Sequence, residues 1–202
     1  MKKLTLILSL LFLTACSAAL PQEARVENRL FIDESSPSLK LEFPFDIEIT
    51  KQEHTTKYDE QNIAAAVSSY RLSTDQNSKI VFISKMQLQM FGTPGYLSGT
   101  DDKMIDNKFF LYKNRYGYCT TFAGAYSGYN IISGEVTRYS GKTGKTTVEI
   151  IENLGNDYNF KYLDTLDKAL KEKHIGYTQQ ICSQLLPQDK YQPMPWLTKN
   201  EN

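Results

Sequence analysis

Cysteine is scarce in this chain, with 3 among 202 residues, histidine scarcer still with 2, and tryptophan occurs once. A surplus of charge is missing: 23 Lys and Arg stand against 23 Asp and Glu, a formal net charge of +0. Without a basic excess nothing displaces the counterions of a phosphate backbone, which excludes a non-specific nucleic-acid binder. His54 and His174 have no second His or Cys at ligand spacing, so no zinc motif is present. No apolar run reaches the ~20 residues of a membrane-spanning helix. Disorder is excluded too, because 41% hydrophobic and 12% aromatic residues with no net charge is the composition of a folding chain.

What is present begins at residue 1. Met1-Lys2-Lys3 precedes an almost wholly apolar Leu4–Leu13, followed by Thr14-Ala15-Cys16. A charged start, a short apolar core and small residues before a cut site describe an export signal. Leu13-Thr14-Ala15-Cys16 resembles the lipobox of bacterial lipoproteins. That resemblance covers this segment alone. It implies cleavage after Ala15, a diacylglyceryl thioether on Cys16 and an acylated new amine. Each buried CH₂ contributes about 0.8 kcal/mol, and one chain binds only marginally, so two or three chains make the attachment lasting. Loss of Lys2 and Lys3 leaves the mature chain at −2, with little pull toward anionic lipid. Within the same resemblance, Ser17 in place of Asp implies the outer membrane rather than the inner one.

Residues 16–38 read as the lipidated cysteine and a flexible tether rich in Ser, Ala and Pro, spanning roughly 25 Å as a coil, with Leu30-Phe31-Ile32 able to dock. Residues 39–186 read as one globular domain and 187–202, with three prolines and Trp196, as an extended tail. Leu39, Leu41 and Phe43, then Phe45, Ile47 and Ile49, alternate with polar residues, the pattern of half-buried strands. Ile63–Leu72 and Lys79–Met90 predict a hairpin around a polar turn, although Ala64-Ala65-Ala66 alone would suit a helix. Residues 92–102 read as a loop. Phe109–Lys113 with Tyr116–Tyr126, and Ile131–Tyr139 with Thr146–Glu152, predict two more hairpins. Phe160, Leu163, Leu166 and Leu170 shift to a helical period, predicting a helix over 158–173 that stops by Gly176. Ile181, Cys182, Leu185 and Leu186 suggest a second, short helix. The expected fold is α+β: an antiparallel sheet of six or seven strands, open or bent into a sandwich, with one or two C-terminal helices.

With Cys16 lipidated, Cys119 and Cys182 remain, and in an oxidising exported compartment they are expected to form a disulfide. The loop closed is about 60 residues long, for which chain entropy gives roughly 4 kcal/mol at most. The alternative is a thiol enzyme with Cys119 as nucleophile and His174 as base, but Tyr118-Cys119-Thr120-Thr121 lies in a strand pattern rather than at a strand-to-helix turn. Other catalytic patterns fail on spacing. Gly144-Lys145-Thr146 lacks the glycine five residues earlier that a P-loop needs, since Tyr139 is there, and a strand follows it. Ser127 is flanked by Ala125 and Tyr129 where a hydrolase elbow needs glycines. Asp101, Asp102 and Asp106 miss the EF-hand spacing. No catalytic residue, metal or cofactor is assigned.

The strand Tyr116–Tyr126 has two unlike faces. Gly117, Cys119, Thr121, Ala123 and Ala125 make a small face suited to close approach of a helix, with Cys119 aimed at Cys182. Tyr116, Tyr118, Thr120, Phe122 and Tyr126 make an aromatic face, either core or, with Tyr129, a binding platform. The expected function is a non-enzymatic envelope lipoprotein. It is anchored in the membrane through Cys16, with its body in the periplasm or at the surface, and it binds another envelope protein or a glycan.

Overall fold

A computed structural model describes residues 23–58, 64–74, 78–89, 108–114, 116–126, 129–140, 143–155 and 166–186. A three-stranded sheet runs β1 (Arg25–Glu27), β2 (Leu30–Asp33), β3 (Leu39–Glu42). The large sheet contains β4 (Glu48–Tyr58), β5 (Ala64–Ser73), β6 (Lys79–Gln89), β7 (Lys108–Asn114), β8 (Gly117–Tyr126), β9 (Tyr129–Ser140) and β10 (Gly144–Asn153). A C-terminal helix, α1, covers Lys168–Leu185. The order in the large sheet is β4-β5-β6-β10-β9-β8-β7 with every neighbour antiparallel. Two meanders, β4 to β6 and β7 to β10, are thus joined along β6 and β10. This is the α+β architecture expected, with seven strands in its main sheet and one helix among the described residues.

Register explains the core. Tyr112, Cys119, Val136, Val148, Ile83 and Tyr70 are directly opposed across six strands. None is more than 3% exposed. On that face lie the small sheet, through Phe31, Leu41 and Phe43, and the helix, through Ile181, Cys182 and Leu185. Phe31 meets Tyr70 edge-on at 5.1 Å. Gln180 and Gln184 of the helix donate to the Glu42 carbonyl, while Glu42 N donates back to Gln184 Oε1, so the small sheet and the helix are tied to each other as well.

Three boundaries differ from the sequence reading. The part of the tether from residue 23 to 38 is folded: Asn28, at φ 59°, turns the chain between β1 and β2, and Phe31 and Asp33 are fully buried. The described fold therefore includes residues 23–38, which the sequence reading assigned to the tether. Second, the strand expected at 45–50 starts at Glu48, because Pro44 and its neighbours bend the chain between β3 and β4. Third, Gly176 does not end a helix. It is an exposed interior residue of α1, and the short helix expected around Ile181 is the continuation of the same one. Asp167 caps it, its carboxylate accepting from Leu170 N at 3.0 Å. The lipobox segment, the loop at 92–102, residues 158–165, Ser127 and the tail with Trp196 lie outside the described residues.

Candidate functional site

The small face of β8 seats the helix. Gly134 on the adjacent β9 lets it come close: a Cβ there would run into Thr178 Oγ1. This approach brings Cys182 over β8, and Cys119 and Cys182 are joined in a disulfide with Cα atoms 6.1 Å apart and a sequence separation of 63. Both are buried. Cys119, the nucleophile of the thiol-enzyme alternative, is thus bonded to Cys182 in this structure. Its proposed base, His174, is also fully buried, and neither ring nitrogen has a hydrogen-bond partner among the described residues. Burial, followed by the charges of Lys79 and Lys173, pushes the imidazole down to about 4. It packs in the core against Tyr177, ring centroids 6.0 Å apart.

The opposite face of the sheet carries Tyr118. Tyr118 is half-buried and donates to Glu135 Oε1 at 2.7 Å. Burial and the Glu135 carboxylate raise its phenol above the ordinary range. Tyr116 is half-buried, and its carbonyl accepts from Tyr139 N at 2.8 Å. Tyr126 and Tyr129 are register partners at the β8–β9 turn. One row crosses this face as Thr120, Glu135, Glu149, Phe82, Arg71 and Lys51. Two carboxylates are directly opposed in it, Glu149 held by Ser133 Oγ at 2.8 Å, and beside them Phe82 is 41% exposed. Acceptors next to an open aromatic ring and a guanidinium form a surface able to hydrogen-bond and stack a polar partner.

A third cluster went unnoticed in the sequence. Asp33 on β2, Lys85 on β6 and Tyr70 on β5 meet between the two sheets. Lys85 Nζ lies 2.6 Å from Asp33 Oδ2, 2.9 Å from Ser35 Oγ and 3.0 Å from the Ser35 carbonyl. Tyr70 donates to Asp33 Oδ2 at 2.6 Å, and Ser35 donates to Asp33 Oδ1 through N at 2.9 Å and Oγ at 2.6 Å. Burial alone would raise the Asp33 carboxyl, yet the donors from Lys85, Ser35 and Tyr70 outweigh it and hold it below its ordinary value. Burial and the Asp33 charge push the Tyr70 phenol up. Every donor of Lys85 is engaged and the Ser35 proton points to a carboxylate, so the pair resembles a serine–lysine dyad in distance alone. Its chemistry is that of a closed tie between sheets.

Beyond Tyr70, His54 Nδ1 lies 2.9 Å from Ser68 Oγ and its Nε2 lies 2.8 Å from Gln52 Nε2. Both ring nitrogens of His54 are thus engaged by polar neighbours, Ser68 on one side and Gln52 on the other. Among the described residues no group of three or more His, Cys, Asp and Glu is placed to hold a metal, and no helix is long and apolar enough to cross a membrane. Compared with known proteins, the chain matches no family model, no curated protein and no solved structure.

Proposed function

We propose that the mature chain is a lipid-anchored lipoprotein of the bacterial envelope, held at the outer membrane through Cys16 and acting as a non-enzymatic binding or assembly module. The observation that carries this reading is the lipobox Leu13-Thr14-Ala15-Cys16 directly behind a short apolar run. The buried Cys119–Cys182 disulfide supports it, since structural disulfides persist in exported, oxidising compartments. The folded body modifies the expected geometry. Only residues 17–22 separate Cys16 from the first described residue, and six residues reach at most about 20 Å when fully extended.

The binding surface in this reading is the polar and aromatic face around Tyr118, Glu135, Glu149 and Phe82, with Tyr116, Tyr126 and Tyr129 on the neighbouring strand ends. Its partner is another envelope protein or a glycan. Cell fractionation tests the anchor. The wild-type chain is expected in the membrane pellet and released by detergent, while Cys16→Ser is expected to leave the membrane or to accumulate uncut. Equal distribution of the two chains would overturn the reading.

A further inference from the structure

The large sheet has two edges of different character. The β7 edge is short, with its register broken between Phe110 and Tyr112. A bulge at an edge guards against pairing with another strand. The β4 edge is 11 residues long and, among the described residues, is hydrogen-bonded on one side only, to β5. Its register shift lies near the start, between Ile49 and Lys51, so Lys51–Tyr58 runs regularly. Every residue from Glu53 to Tyr58 is exposed, Tyr58 at 69%. This segment contains no proline and no glycine, and Thr55-Thr56 at its middle favours the extended chain.

We infer that β4 pairs antiparallel with the β4 of a second copy of this chain about a twofold axis through Thr55, joining two seven-stranded sheets into one. Charge selects both the occupant and the register. Lys51, Glu53 and Lys57 share one face of β4, the face away from the core. A twofold through His54 sets Lys51 against Lys57 of the second copy, and one through Glu53 sets that carboxylate against itself; like charges directly opposed repel. A twofold through Thr55 sets Glu53 against Lys57 twice, once on each side of the axis. It also sets Gln52 against Tyr58 and keeps the pairing within 52–58, clear of the register shift. A twofold through Gln52 would pair Lys51 with Glu53 but would draw the irregular stretch at Ile49 into the contact.

Oxidative crosslinking of full-length Thr55→Cys in cells tests this inference. Directly opposed residues of an antiparallel pair lie about 4.5–5.5 Å apart at Cα, within disulfide range, and the native disulfide is buried away from exchange. A crosslinked dimer is expected. Adding Glu53→Lys or Lys57→Glu alone turns both attractive pairs repulsive and is expected to lower the crosslinked fraction about tenfold. The double exchange restores the attraction and the yield. No dimer, a crosslink to a different polypeptide, or a yield indifferent to the charge reversals would overturn the inference.

Discussion

Two buried groups set how this protein responds to acid and to substitution. His174 titrates near 6.5 in an unfolded chain and is held at about 4 in the fold. The unfolded state therefore binds the extra proton between those values, and stability is lost as pH falls from about 6.5 toward 4. The loss comes to about 3 kcal/mol and is complete below about pH 4. Urea titrations at several pH values should show that slope in the wild type and its removal in His174→Leu; parallel profiles would contradict it. Asp33 is the second such group: its carboxyl is held below its ordinary value, so its contribution is also lost toward acid, and Lys85, 4% exposed, relies on its charge. Asp33→Asn keeps the shape but strips the counter-charge, and the expected cost is about 3–5 kcal/mol in the same assay. A change below about 1 kcal/mol would show that water already serves Lys85. Part of this was legible: Val81, Ile83 and Lys85 share one strand face, so a lysine in a core register called for a buried acid. Which acid was not legible, because Asp33 lies 52 positions away in a stretch rich in Ser and Pro.

At the scale of elements, strands were readable and terminations less so. Runs rich in β-branched and aromatic residues around polar or glycine turns located the β5–β6, β7–β8 and β9–β10 hairpins. The β1–β2 hairpin escaped because β1 has only three residues and Phe31, Ile32 and Asp33 are buried in succession, which erases the alternation. Asn28 at a left-handed turn was the available signal. The helix was cut short at Gly176 by the usual meaning of glycine. His174, Thr178, Ile181, Cys182 and Leu185 nevertheless continue one helical stripe across that position, and packing of the stripe outweighs the local penalty. Gly176 faces open space, and a methyl group added at its Cα would meet no atom within 4 Å. Gly176→Ala should therefore stabilise the protein by up to about 1 kcal/mol, seen as a higher urea midpoint with an unchanged slope. Destabilisation would mean that the glycine relieves a strain in α1.

For the molecule as a whole, the fold class and the disulfide followed from patterning and cysteine arithmetic, and the structure contains both. The helix, the small sheet and the large sheet form one core, with the Cys119–Cys182 bond pinning the C-terminal element to β8 and the Asp33–Lys85 tie pinning the N-terminal one to β6. Both ends of the described body are thus fastened to the same face of the large sheet. The candidate surface was less legible than the core. Tyrosine content pointed to β8, but the opposed Glu135 and Glu149 arise from β9–β10 register, which periodicity within one strand does not reveal. All of this concerns function only if the chain is tethered where the first sixteen residues say. Intact mass spectrometry of the protein extracted from membranes measures that directly. The expected species is a polypeptide beginning at Cys16 and carrying the added mass of a diacylglyceryl group and an amide-linked acyl chain. A mature chain cut elsewhere, or one beginning at Cys16 with no lipid mass, would contradict the tethered reading.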